Sequence, residues 1–412
     1  MENKKPAMRW VALIWCALTM VFITWNMVIY PARAVDVMTQ WGFGQADLTA
    51  TTSFASVSGL FVSLLYGRLI DSWGMRKCVL IFLPIGIVLL AIRAFVTAVP
   101  LVLALTFLGT CGVSVCNIVG PKLIETWFPR EDVGMAMGIQ ATCAGAGSAV
   151  VFIAAPMFPD ITTTLLSCAV LYVINLVMWV FMGHAGPYRP AEKVELPKGA
   201  MVKVLKNKYV WLLSVSGGLA TAAAVLLNTY AVNAFIGKGY TADEASMMSS
   251  LMNFGLLFSG FVCSAVLKKV QRFNLMLAIT CIGGGICYLL AWFMPLGTWT
   301  AALIFVGAII LGGNIGLCSG RIPLIYMTET VDPECVASAA GAQETIKGIF
   351  NFFLPMIFAV IIGANYNVLF ISYAIVLVLC ILIGAWPLMP ELGEKGKIFQ
   401  DYQEKTGKQT IQ

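Results

Sequence analysis

The sequence predicts an all-α membrane protein of twelve transmembrane helices arranged as two pseudo-symmetric six-helix bundles. Three observations carry this. Of the 412 residues, 59% are hydrophobic and only 11% charged, and the mean hydropathy is +0.87, which is too apolar for a water-soluble chain of this length. Glycine, proline and charge divide the sequence into apolar runs, each near the ~20 residues that cross a bilayer. Lysine and arginine gather in alternate connections, as expected of an even number of spans.

The runs fall at 9–35, 47–67, 77–97, 99–123, 133–157, 162–183, 209–236, 243–267, 273–294, 299–328, 335–362 and 367–388. Lys4, Lys5 and Arg9 precede the first, which lacks a small-residue cleavage site and is too long for a signal peptide, so it is expected to stay as an uncleaved helix. The most polar interior stretch, His184 to Lys208, holds Pro187, Pro190 and Pro197 among five further cations and reads as a linker. The expected domains are a six-helix bundle over 1–183, a cytoplasmic linker over 184–208, a second bundle over 209–390 and a cytoplasmic tail over 391–412. All but five of the 26 lysines and arginines then share one face; Arg33, Arg93 and Lys238 fall towards the other, and Arg321 and Lys347 lie within spans. That asymmetry puts both termini in the cytoplasm, and the expected location is the inner (plasma) membrane.

The two halves repeat weakly. Gln45-Ala46-Asp47 and Ser58-Gly59-Leu60-Phe61 are echoed by Thr241-Ala242-Asp243 and Phe254-Gly255-Leu256-Leu257, and Glu125-Thr126-Trp127-Phe128-Pro129 by Glu329-Thr330-Val331-Asp332-Pro333. An offset of about 200 residues kept across two hairpins is what a duplicated six-helix unit leaves.

The net charge of +6 follows topology and does not point to nucleic acid. Most of the twelve cysteines fall inside apolar runs, with no C-x-x-C pair, and read as small buried side chains. His184, at the end of an apolar run, reads as an interfacial residue. There is no phosphate-cradling loop, no nucleophile with an adjacent base and no metal-ligand cluster. The expectation is no enzyme, no cofactor, no metal, and a monomer in the lipid bilayer.

The stretch Gly67-Arg68-Leu69-Ile70-Asp71-Ser72-Trp73-Gly74-Met75-Arg76-Lys77 forms a short basic hairpin between the second and third runs. Its G-x-L-x-D-x-x-G-x-R-K spacing resembles the signature loop of the major facilitator superfamily of secondary transporters. The segment Pro121 to Asp132, with Trp127-Phe128-Pro129, and the segment Gln343-Glu344-Thr345-Ile346-Lys347-Gly348 resemble the oxalate:formate antiporter and monocarboxylate transporter groups. In the oxalate:formate group, which the second segment resembles, a lysine of the eleventh helix belongs to the anion site. Ser72 departs from the pattern, the second-half counterpart at Lys268-Lys269-Val270-Gln271-Arg272 has lost its aspartate and glycines, and the eighth run has no arginine. Gly138, Gly145 and Gly147 loosely resemble an antiporter glycine motif. The resemblance implies gating by Asp71, Arg68 and Arg76 around Gly67 and Gly74, with the bland alternative of a solvated loop that only fixes topology.

An ionisable side chain at the bilayer centre costs about 2.5 to 3.5 kcal/mol on insertion scales, so interior charges are candidates by default. On the eleventh run Ala340, Glu344, Lys347 and Asn351 share one helical face; on the tenth, Asn314, Arg321 and Thr328 repeat every seven residues; on the first, Thr19, Asn26, Tyr30 and Arg33 make a third stripe. These stripes are expected to converge on one cavity. In the functional reading Arg321 and Lys347 bind a small organic anion, a monocarboxylate, and Glu344 holds Lys347 or carries a proton. In the alternative, Glu344 and Lys347 neutralise each other and Arg321 snorkels to the cytoplasmic face. Asn26, Tyr30, Asn117, Gln140, Asn228 and Tyr230 either touch substrate or are helix-packing glue. Arg33 and Arg93 read as interfacial, with Arg33 able to attract anions. Protons or a counter-anion are the expected co-substrates. A permease for another small solute, such as a cyanate-type anion or a neutral metabolite, and a transporter-like receptor remain the alternatives.

Overall fold

The computed structural model describes residues 8–182, 186–188, 204–267, 273–316, 336–363 and 365–384, and among them the regular structure is wholly helical. Lipid offers backbone groups no partners, so each segment must satisfy its own. The elements are α1 (Met8–Ala32), α2 (Ala34–Trp41), α3 (Gln45–Trp73), α4 (Met75–Arg93), α5 (Val99–Val113), α6 (Val115–Trp127), α7 (Arg130–Ala154), α8 (Ile161–Met182), α9 (Lys208–Lys238), α10 (Ala242–Leu267), α11 (Phe273–Phe293), α12 (Trp299–Gly316), α13 (Val336–Ile362) and α14 (Tyr366–Gly384). Nine stretches among the described residues are long and apolar enough to cross a membrane, with α5 and α6 forming one of them. Helices α3, α10 and α12 stand at the three remaining positions expected from the sequence. Ile14, Val88, Ile282, Ile375 and Val360 are half-exposed or more, the surface a bilayer covers.

The chain divides into two compact units. One comprises Met1–Lys193 with Asn228–Asn253, the other Val194–Leu227 with Phe254–Gln412. In the first, α1 packs on α7, α6, α3 and α8, and α4 packs on α5 and α8. Segment Asn228–Asn253 is tied in by Asn233 Nδ2 donating to Gln45 Oε1 at 2.6 Å and by Ser250 Oγ donating to the Ala149 carbonyl at 2.9 Å. In the second unit α11 packs on α12 and α14, and α13 on α14.

Two glycines are held by geometry. Helix α3 runs on through Trp73, so Gly67, Arg68 and Asp71 are helical and the hairpin expected over Gly67 to Lys77 reduces to Gly74, whose φ is 87°. One residue in the left-handed region reverses the chain, which is why a longer loop is not needed. At Gly147, where α7 crosses α1, an added Cβ would lie 2.8 Å from Val21 Cα. Close helix approach is a sufficient reason for that glycine.

The internal repeat shows itself as equivalent helix starts. Asp47 accepts from the Gly44 amide at 2.8 Å at the start of α3. Glu244 accepts from the Thr241 amide at 2.9 Å at the start of α10, and Thr241 Oγ1 accepts from the Glu244 amide in return at 3.3 Å. The acid at the third helical position therefore matches Asp47 with Glu244, one residue beyond the Asp47–Asp243 pairing read from the letters.

Helix α8 is capped by Asp160, which accepts from the Thr163 amide at 2.6 Å and from its hydroxyl. These bonds hold the carboxyl below its usual pKa. A depressed folded-state pKa contributes stability that is present above the unfolded value of about 3.9 and is lost as pH falls through the folded value. Thermal unfolding in detergent below pH 4 is therefore expected to steepen with acid in wild type, and Asp160→Asn to flatten that dependence. Gly147→Leu is expected to lower stability by about 1–3 kcal/mol through overpacking against Val21, read as a fall in Tm; an unchanged Tm would remove the close-approach argument.

Candidate functional site

A cavity of about 60 Å³ lies inside the first unit, bordered by Asn26 of α1, Ser56 and Ser58 of α3, Thr110 of α5, Ser114 between α5 and α6, and Asn117 of α6, with Tyr172 beside them. Ile23, Met27, Ala55 and Val113 complete the lining, and the space is roomy enough for water or part of a small solute. Ser56, Ser58 and Ser114 donate to the carbonyls of Thr52, Ala55 and Cys111 in their own segments at 2.9, 2.7 and 2.8 Å. With their protons so used, these hydroxyls can present oxygen lone pairs to the cavity. Asn26 Nδ2 donates to Thr110 Oγ1 at 3.0 Å, and the Cys168 thiol donates to Asn26 Oδ1 at 3.6 Å.

Of the expected site residues, Asn26 borders this cavity, and Tyr30 lies one turn along α1, its ring 5.2 Å from the Arg93 guanidinium. Gln140 is buried but stands elsewhere, its Nε2 filling the place of a Cβ on Gly120. Ser56, Ser58, Thr110 and Ser114 were not anticipated. Their signal is visible in hindsight on the fourth run, where Thr106, Thr110, Ser114 and Asn117 recur at helical spacing. The cysteines also differ from inert fillers: a chain of bonds joins Thr19 to Asn175 at 3.2 Å, Asn175 to Cys116 at 3.6 Å, and Cys16 to the Gly120 carbonyl at 3.6 Å.

In the second unit, Lys347 is 9% exposed and its Nζ lies 2.5 Å from Glu344 Oε1, one turn earlier on α13. Glu344 is the exposed member, its side chain 68% accessible against 11% for the lysine. Asn351, a further turn along, keeps its Oδ1 buried with no hydrogen-bond partner among the described residues. Arg321, Thr328 and the Lys268 to Arg272 stretch lie outside the described residues, as do the side chains of Asn314, Arg68 and Asp71 and most of the 184–208 linker. Asn253 Nδ2 donates to Asn228 Oδ1 at 2.9 Å across α9 and α10, a packing role.

The arginines read as interfacial are both buried. Arg33 is 7% exposed; its Nη1 donates to the Ala155 and Phe158 carbonyls at 3.1 and 2.8 Å, and its Nε meets Asp36 at 2.8 Å. It thus ties α1 to the end of α7. Arg93 is 0% exposed. Arg76 Nη2 donates to the Val180 carbonyl in the last turn of α8 at 3.0 Å, a favourable place for a cation. The Trp127-Phe128-Pro129 junction is a packing node: Phe128 is 1% exposed, meets the Trp10 ring edge-on at 5.9 Å and lies under Arg9, which pairs with Asp132 at 3.3 Å. The Tyr188 amide returns to the Thr126 carbonyl at 2.9 Å, so the first linker residues dock there.

Comparison with known proteins matches residues 14–355 to the family described as Major Facilitator Superfamily. A search of curated protein sequences returns no match. Among solved structures, the nucleoside transporter NupG is similar at 15% identity and a TM-score of 0.71, over 92% of this chain and 98% of that one. A D-xylose-proton symporter is similar at 12% identity and 0.69, over 93% and 98%. A bacterial homologue of the human lysosomal transporter Spinster, in an inward-facing and unoccupied conformation, is similar at 13% and 0.68, over 92% and 95%. At these identities the likeness is one of fold.

Asn26→Leu is expected to cost about 1–3 kcal/mol, because Thr110 Oγ1 and Cys168 Sγ lose a buried partner. Thr110→Val added to it should cost less than the sum of the two single changes. Additive Tm shifts in the double variant would show that the Asn26–Thr110 bond carries no coupling.

Proposed function

Because the chain belongs to the Major Facilitator Superfamily, we propose that this integral membrane protein is a secondary transporter of a small organic anion, a monocarboxylate, working by alternating access as proton symport or exchange. The observation that carries the reading is Lys347, a cation buried in an apolar helix of 27 residues and neutralised by an exposed carboxylate. In the empty carrier Glu344 balances Lys347. A proton on Glu344 removes that balance, and the carboxylate of the substrate takes its place as the partner of the ammonium. Proton and anion then enter together with no net charge, whereas exchange keeps Lys347 paired with one anion or the other. Arg321 contributes a second cation and Asn314 and Asn351 polar contacts, with Asn26, Tyr30 and Gln140 in the other bundle. Two six-helix bundles, 1–183 and 209–390, rock about the 184–208 linker, while Asp71, Arg68 and Arg76 hold the cytoplasmic side closed in one state. Both termini are cytoplasmic, the 391–412 tail included, and the monomer resides in the inner (plasma) membrane.

A second reading has its own observation. The cavity in the first unit presents serine oxygens whose protons are already committed, a lining that suits a neutral solute rich in hydroxyl donors. In that case the Lys347–Glu344 pair is structural.

The two separate in proteoliposomes given labelled carboxylates and, in parallel, labelled polyols and sugars, with and without an inward acid gradient. The expected result is accumulation of a carboxylate, at least tenfold slower uptake in Lys347→Ala and Arg321→Ala, and loss of gradient stimulation in Glu344→Gln. Wild-type anion uptake in both cation variants would sink the first reading; uptake of a polyol that Lys347→Ala leaves intact would establish the second.

A further inference from the structure

Arg93 ends α4 with no solvent exposure. Its Nη1 reaches Thr106 Oγ1 at 3.4 Å, its guanidinium lies 5.2 Å from the Tyr30 ring, and the Cys168 thiol stands beside it. Its Nε and Nη2 are buried with no hydrogen-bond partner among the described residues. No carboxylate pairs with it among the described residues. The titratable groups that face it are Tyr30, Cys168 and Tyr172, none of them an acid that is ionised near neutrality.

A guanidinium cannot shed its charge by losing a proton, so burial must be met by a counter-charge or by acceptors for its N–H groups. Arg33, also buried, differs in having an acidic partner: its Nη1 donates to the Ala155, Pro156 and Phe158 carbonyls and its guanidinium lies 2.8 Å from Asp36. The carbonyls at the end of α4 and the face of Tyr30 supply part of the balance, but the N–H groups on Nε and Nη2 have no acceptor among the described residues. The Cys168 thiol, which touches Arg93, also donates to Asn26 Oδ1, and Asn26 borders the 60 Å³ cavity. One side-chain layer separates the guanidinium from a space that solutes can occupy.

We infer that Arg93, Thr106 and Tyr30 form a binding site for one small monovalent anion, a halide or a short carboxylate, inside the first unit and separate from Lys347. The site does not depend on the carried solute being an anion. An anion at Nε and Nη2 supplies both the charge and the acceptors not found among the described residues, with the fork geometry of arginine favouring a planar carboxylate.

The test is thermal unfolding of the purified chain in detergent, with ionic strength held by bulky gluconate while chloride, formate or acetate is titrated. The expected result is a saturable rise in Tm of a few degrees for at least one small anion, absent in Arg93→Gln and kept in Lys347→Ala. A response to chloride alone identifies a resident inorganic ion; carboxylates that respond and compete with chloride place the site on the route of a transported anion. No saturable response in wild type, an unchanged response in Arg93→Gln, or loss of the response in Lys347→Ala would overturn the inference. If Arg93→Gln does not fold, Thr106→Val is read in its place: at least threefold weaker binding is expected, and unchanged affinity counts against the site.

Discussion

Lipid withholds hydrogen bonds, and the structure is arranged around that constraint. It makes the backbone helical and ends α3 on one left-handed glycine with no polar loop. Inside the bundle it forces side-chain polar groups to find one another. The chain from Thr19 through Asn175 to Cys116 is one answer, and the Cys16 thiol donates separately to the Gly120 carbonyl, thiols serving as weak donors and acceptors where a stronger group would demand a stronger partner. The Asn26–Thr110–Cys168 set is another.

Buried cations show the same constraint at higher stakes. Arg33 is compensated by helix-end carbonyls and Asp36, Lys347 by Glu344 one turn away, and Arg93 by an aromatic face and one hydroxyl. The first arrangement is a structural tie between helices. In the second, the acid is the accessible half. The third lacks an acidic partner among the described residues.

Much of the architecture was legible in the letters because length and apolarity are one-dimensional properties. Each run overlaps a helix among the described residues, and the hairpin glycine at position 74 stands where the motif put it. The repeat was legible only to within a residue, since matching letters pointed to Asp243 while the cap geometry selects Glu244. What did not show was lateral position. Arg93 sits at a run's end in the sequence, which suggests an interface, yet its side chain turns inward beneath Tyr30. Serine and threonine inside apolar runs were passed over because a window average registers them as mild dilution, and only their spacing on a helix reveals a lined cavity.

The interruption at Ser114 joins two features that are usually separate. The stretch Val99–Trp127 has 29 residues, about 43 Å of helix at 1.5 Å per residue, against a hydrocarbon layer of ~30 Å. Such a span must tilt or bend, and its one irregular residue, Ser114, borders the cavity together with Asn117. A mismatch between helix length and membrane thickness therefore meets the helix at the level of the cavity that these residues line.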